Sequence, residues 1–291
     1  MHNPFAGKGQ SQKGLEKATA FIKQSEFDFD ILETQEGFTD NRKNLAEKIN
    51  DTYTEIWLSG GDGTLHQLVN CLPQEFWHLP IAILPNGTGN DFVKNYLLNV
   101  SLKEALQVAS TGTPQPVDVW QCNEKLFIHG LGIGFDGQVV ESMLKRKTLF
   151  KGFIAYYYHV LRLLFTYREK EFTMAANGAE TSFPCFMITV GNSNTFGGGF
   201  KITPNAKIND GLLDVCAISK VPIWLRPRYL KTVENGTHLH LQYVNYFNSN
   251  KLTIETPQVV AGHIDGELFY GKEFEIVKHP KTLNIILPAQ K

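Results

Sequence analysis

The chain is poor in cysteine, in net charge and in long apolar runs. Its four cysteines, Cys71, Cys122, Cys185 and Cys216, stand far apart and form no Cys-x-x-Cys pair. That spacing excludes a disulfide framework and a zinc knuckle, and it implies reduced, buried thiols in a cytosolic protein. The net charge is −1 over 291 residues. So even a balance gives no bulk attraction to nucleic acid, which is not expected as a partner, and any membrane contact needs a local patch. The most apolar run, Phe153 to Phe165, is shorter than a membrane span and contains His159 and Arg162, so it reads as a buried helix. The first ten residues lack the apolar stretch of a secretory signal. The expected location is cytoplasmic, peripheral to the membrane.

Hydrophobic content of 42% and charged content of 20% describe a globular protein large enough for two ordinary domains. The first third alternates strand and helix patterns. Strands are expected at Phe27–Thr34, from Glu55 to Gly61, and at Leu79–Pro85. Helices are expected at Asn41–Asn50, at Leu65–Leu72 and at Ser101–Ser110, the last with Ser101 as N-cap and Glu104 completing a capping box. This alternation implies a parallel sheet with helices on its faces. The turn at Asn3–Gly7 looks like the end of a first strand that is either shortened or clipped.

Two prolines and a glycine in Thr111–Trp120 mark a boundary. Beyond it the pattern is mostly β, with helices expected at about Gly137–Tyr167 and Ile223–Asn235. Asn123-Glu124 and the stronger hairpin signal Asn177-Gly178 punctuate the strands. The predicted fold is therefore an N-terminal parallel-sheet α/β domain over residues 1–116, followed by an antiparallel β-sandwich-like domain over 117–282. The tail 283–291 is expected to pack back near the first.

Glycine loops follow two successive strands. The first is Gly60-Gly61-Asp62-Gly63-Thr64, and the second is Asn86-Gly87-Thr88-Gly89-Asn90-Asp91. No Gly-Lys-Ser/Thr follows the first, so it is not a P-loop. In a parallel sheet both loops emerge at the carboxyl ends of the strands, where open α/β sheets bind ligands. With the Asn3–Gly7 turn they form a backbone-amide pocket suited to a polyphosphate. Asp62 is tolerable there beside Mg²⁺ or a ligand hydroxyl.

These loops, with the upstream Asn-Pro-Phe-Ala-Gly-Lys-Gly, resemble the diacylglycerol kinase catalytic domain family, which includes bacterial lipid kinases and the sphingosine and ceramide kinases. The resemblance extends over nearly the whole chain, through Pro116–Trp120, Gly130–Val139, Val190–Val215 and His263–Leu268. It implies ATP-dependent phosphorylation of a lipid hydroxyl, foremost diacylglycerol to phosphatidic acid, with ATP between two domains. Carried over, the nucleotide contacts are Asn3, Pro4, Phe5, Ala6 and Gly7, then Gly60, Gly61, Asp62, Gly63, Thr64, Leu65, His66 and Gln67. Asn86, Gly87, Thr88, Asn90 and Asp91 follow, with Thr34 as a weaker contact. Asp265 or Glu267 would take the proton from the lipid, and Asp62 would act near the phosphates. A structural Mg²⁺ would be held by the Asp210 carboxylate and the carbonyls of Lys207 and Leu212, with Asp118 reached through water. Asp265, before Gly266, is expected on a tight turn with its side chain exposed.

Some positions depart from the family pattern. His66 and Gln67 stand for the usual Asn-Glu, Lys94 for an arginine, Asn194 for a basic residue and Asn205 for an aspartate. Two other functions fit the loops. One is a soluble-substrate kinase of the NAD kinase type, and the other is a nucleotide-binding regulatory module without turnover. Lys145–Phe153 and Trp224–Lys231 combine basic and aromatic residues suited to an anionic membrane surface. A homodimer through sheet edges is a further expected assembly.

Overall fold

The computed structural model describes the chain except residues 10, 25–27, 36, 98–100, 147, 149–151 and 290–291. It divides into two compact units, Met1–Val119 with Pro280–Lys291, and Trp120–His279.

In the first unit, α1 (Ser11–Ile22) and α2 (Phe38–Lys48) precede β1 (Ile56–Gly60). Then come α3 (Asp62–Cys71), β2 (Ile81–Pro85) and α4 (Leu102–Thr111). β1 and β2 pair in parallel from Ile56↔Ile81 to Gly60↔Pro85. Leu58, Ile81 and Leu84 are fully buried between helices, as continuous apolar strands require. The segment expected as a strand at Phe27–Thr34 reduces to one parallel bridge, His2↔Glu33, and Phe27 lies outside the described residues. His2 also bridges Ser59, so the first strand is a few residues pairing on both sides. The Ser101 hydroxyl caps α4 by accepting the Glu104 N–H at 3.2 Å.

β3 (Thr113–Cys122) runs straight through the expected boundary, because its prolines fall on its exposed beginning. The second unit continues with β4 (Lys125–Phe127), β5 (Gly130–Gly134), α5 (Phe135–Lys145) and α6 (Gly152–Thr166). The helical stretch expected at about 137–167 is thus two helices. β6 (Lys170–Ala176) and β7 (Ala179–Gly191) form the expected hairpin, with Asn177 and Gly178 at φ 53° and 78°. β8 (Leu213–Ser219), α7 (Arg226–Asn235) and β9 (Val244–Ser249) follow. β10 (Lys251–Ile264) and β11 (Glu267–Leu287) close the chain.

β5, β7, β8 and β9 pair antiparallel in sequence, and β10 pairs antiparallel with β5, β6 and β11. One face of this unit buries Trp120, Phe127, Phe172 and Phe274; the other packs α5, α6 and α7 over Phe186, Cys216 and Ile218. All four cysteines are free and buried. β9 had no clear pattern in sequence, because its residues are mostly only half-buried.

Candidate nucleotide and phosphoryl-transfer residues

In the first unit the glycine loops leave β1 and β2 side by side. Gly61 and Gly87 meet backbone to backbone. A Cβ on Gly61 would come within 2.8 Å of the Gly87 Cα, and one on Gly87 within 2.5 Å of the Gly61 Cα. Only glycine permits that approach. Asn90 shapes the second loop from a left-handed φ of 50°. Its side chain accepts the Gly87 N–H at 3.0 Å and donates to the Gly87 carbonyl at 2.9 Å.

Asp62 starts α3, and its carboxylate accepts the N–H groups of Asp91 at 3.0 Å and Phe92 at 3.1 Å. The side chain expected to serve a metal or a ligand hydroxyl therefore braces one loop against the other. Asp91 is itself paired with Lys94 at 2.6 Å. Asn86 donates to the Ser59 hydroxyl at 2.8 Å, and Asn3 donates to the Thr64 hydroxyl at 2.9 Å. The Asn3–Gly7 turn is so joined to the first loop. Within it Phe5 is 67% exposed, while Gly7 takes a φ of 62°. Gly60, Gly61 and Gly63 lie along the loop and the first turn of α3, where N–H groups lack helical partners. Thr88 is exposed at the tip of the second loop.

Other expected contacts face elsewhere. The Leu65 and His66 side chains are buried, and the His66 ring meets Phe38 edge-on at 5.6 Å. They follow the inward face of α3, so only their backbone is available to a ligand. Gln67 accepts from Asn41 at 3.4 Å, toward α2. Thr34 is buried, and its hydroxyl has no partner among the described residues.

In the second unit the Asp265-Gly266 turn has φ values of 50° and 88°. Asp265 is buried rather than exposed. Its carboxylate accepts N–H groups from Ile128 at 3.2 Å, His129 at 3.1 Å and Gly130 at 2.9 Å. The same 128–130 segment is held from the other side. Asn192 donates to the Ile128 carbonyl at 2.8 Å, and Ser193 shares a hydrogen bond with the His129 ring at 2.6 Å. The turn points Asp265 inward because three unpaired amides there require an acceptor. Glu267, two residues on, is exposed.

Sequence reasoning missed a buried pair beside this turn. His263 Nε2 lies 3.1 Å from the Asp136 carboxylate, which also accepts from the Thr189 hydroxyl at 3.2 Å. Burial lowers the imidazole pKa, but Asp136 and then Asp265 outweigh it and hold the pKa above its ordinary value. The signal in the sequence was Asp136 inside a glycine-rich segment. A further missed carboxylate, Asp214, is buried and accepts from Tyr246 at 2.5 Å and Asn248 at 3.0 Å. Burial, its largest influence, raises its pKa.

The expected metal ligands fall in both units. Asp118 is buried in the first. Lys207, Asp210 and Leu212 lie on an exposed turn of the second, where the Asp210 carboxylate accepts the Leu212 N–H at 3.1 Å. Among the described residues no group of three or more His, Cys, Asp or Glu is placed to hold a metal. The resemblance implies one carboxylate and two carbonyls instead, a set of oxygen donors that suits Mg²⁺ or Ca²⁺ chemically.

Residues 1–122 match the diacylglycerol kinase catalytic domain, and residues 131–287 match the YegS C-terminal NAD kinase beta sandwich-like domain. The chain belongs to the diacylglycerol kinase catalytic domain family of lipid kinases. It is similar to a Yersinia enterocolitica protein described as "Probable lipid kinase YegS-like", at 30% identity over 80% of this chain and 78% of that one. It is 25% identical to a Bacillus subtilis diacylglycerol kinase over 81% of this chain and 78% of that one. The crystal structure of a Bacillus anthracis diacylglycerol kinase shares the fold, with a TM-score of 0.72 at 23% identity, covering 99% and 95% of the two chains.

Proposed function

We propose that this protein is an ATP-dependent lipid kinase that phosphorylates a lipid hydroxyl, foremost that of diacylglycerol, giving phosphatidic acid. The observation that carries the reading is the pair of glycine loops packed Gly61 on Gly87 and braced by Asp62. Together with the family match, it supports a preorganised cradle for the ATP phosphates. The N-terminus of α3, reached directly from the first glycine loop, suits phosphate oxygens, and the α3 dipole adds to their attraction. Mg²⁺ bound with the nucleotide would supply charge neutralisation at the transferring phosphoryl group.

The transfer balances simply. The lipid O–H bond breaks and its proton passes to a carboxylate. The lipid oxygen bonds to the γ-phosphorus, the bond from that phosphorus to the bridging oxygen breaks, and ADP leaves. We assign the proton to Glu267, whose side chain is exposed, and the organisation of the 128–130 segment to Asp265, whose oxygens are already committed to backbone amides. Lys207, Asp210 and Leu212, all of the second unit, are assigned to a structural Mg²⁺. Among the described residues no helix is long and apolar enough to cross a membrane. The protein is proposed to meet its lipid at a membrane surface from the cytoplasmic side.

ADP release from Mg·ATP, measured over diacylglycerol, monoacylglycerol, a sphingoid base, phosphatidylglycerol and a polyprenol in mixed micelles, tests the reading. Turnover on a lipid supports it, with diacylglycerol expected fastest. Turnover on NAD alone contradicts it. Nucleotide binding without turnover on any acceptor would instead indicate a regulatory module.

A further inference from the structure

The helix expected to be buried, α6, is buried on one side only. Val160, Leu163 and Leu164 enter the core, whereas Ile154, Tyr158, Leu161 and Phe165 are 64%, 43%, 41% and 53% exposed. Their spacing of four, three and four places them on one stripe along the helix. A stripe of large apolar side chains facing water is a feature that a solvated surface does not need.

A further pair of exposed apolar side chains lies near the end of the helix. Arg226 donates to the carbonyls of Leu164 at 2.9 Å and Tyr167 at 3.0 Å, and pairs with Glu169 at 2.6 Å. This buried guanidinium pins the turn Ile223–Leu225 at the C-terminal end of α6. Ile223 and Trp224 on that turn are 51% and 78% exposed. Nothing in the core requires a tryptophan held so far out, yet its backbone is fixed.

Charge identifies the occupant. Between Glu141 and Glu169 the sequence contains no acidic residue, and none occurs between Asp214 and Glu234. Arg146, Arg162, Arg168 and Arg228 lie in these stretches. None of the four is in an ion pair among the described residues, although Lys145, Arg226 and Lys231 are paired with Glu141, Glu169 and Glu234. The local field is felt inside the unit as well. Burial lowers the His159 pKa, and Arg162 and Arg146 lower it further. A second copy of this chain on the stripe, in a two-fold dimer, would set these arginines against themselves. An anionic lipid surface satisfies both features, because arginine stems lie along apolar surface while their heads reach phosphates.

From this we infer that the outer stripe of α6, with Ile223 and Trp224, is the surface by which the protein docks on an anionic bilayer. The inference rests on the lipid-kinase reading for its purpose but not for its observation. Tryptophan and phenylalanine would enter the headgroup boundary, and the arginines would meet lipid phosphates.

The test is co-sedimentation of the full chain with vesicles, without nucleotide. One set is phosphatidylcholine, the other equimolar phosphatidylcholine and phosphatidylglycerol. Wild type is expected to bind the anionic vesicles, and salt is expected to weaken binding. Phe165→Ala/Trp224→Ala is expected to lower partitioning by about tenfold or more, since two apolar anchors are lost. Arg162→Gln/Arg168→Gln is expected to lose the preference for anionic vesicles. Turnover of a short-chain, water-dispersed diacylglycerol is expected to stay unchanged in the first variant, which shows that it folds. Equal partitioning of wild type and both variants would overturn the proposal. So would a change from dimer to monomer in the apolar variant, which would assign the stripe to a second copy. Failure of the kinase reading is separate, since wild type would then bind vesicles but turn over no lipid.

Discussion

The Asp62 carboxylate accepts the Asp91 N–H at 3.0 Å and so ties the loop after β1 to the loop after β2. A second bond, from Phe92 at 3.1 Å, uses the other oxygen. Asp62 thus belongs to the architecture of the cradle rather than standing free within it. Asp62→Ala should therefore lose turnover and also stability, by about 3 kcal/mol, because two amides lose a charged acceptor. Thermal melting beside ADP release checks this. A variant that melts like wild type would show that the brace is not needed.

The Gly61–Gly87 approach makes a sharper demand. Gly87→Ala should weaken ATP binding by tenfold or more, since its Cβ would meet the Gly61 Cα at 2.5 Å and drive the loops apart. Calorimetric titration with Mg·ATP measures it. Thr88→Ala, at an exposed position of the same loop, serves as a control for fold and should melt as wild type does.

The two acids of the late Asp-Gly-Glu should separate by readout. Glu267→Gln should lose turnover with melting unchanged, as expected for an exposed side chain that only moves a proton. Asp265→Asn should lower the melting temperature, because its amide cannot accept from Ile128, His129 and Gly130 through both of its terminal atoms. Turnover retained in Glu267→Gln would return the proton transfer to Asp265.

The alternation of strands and helices, the glycine loops and the hairpin at Asn177-Gly178 were legible because each depends on local chemistry: periodicity, backbone freedom and turn preference. The Asp62 brace was not, since it depends on how two loops meet after folding. The inward direction of Asp265 was hidden for the same reason. Its partners lie more than a hundred residues away, and an Asp-Gly turn reads the same whether its carboxylate faces water or amides. The exposed stripe of α6 was concealed by composition, because apolar residues around a helix imply burial unless something else covers it.

The buried pair His263 and Asp136 gives a pH dependence with a definite sign. The histidine pKa is raised in the fold despite burial, through Asp136 and Asp265. Its stabilisation is complete below the unfolded value of about 6.5 and is lost as pH rises through the higher folded value. Melting temperature against pH should therefore fall more steeply above that point in wild type than in His263→Gln. Parallel curves would contradict the charged pair.

The most direct test of the account is transfer of labelled γ-phosphate from Mg·ATP to diacylglycerol in mixed micelles, with the product identified by chromatography. Wild type is expected to give labelled phosphatidic acid, and Asp62→Ala none. Label absent from every lipid offered, or found in NAD instead, would contradict it.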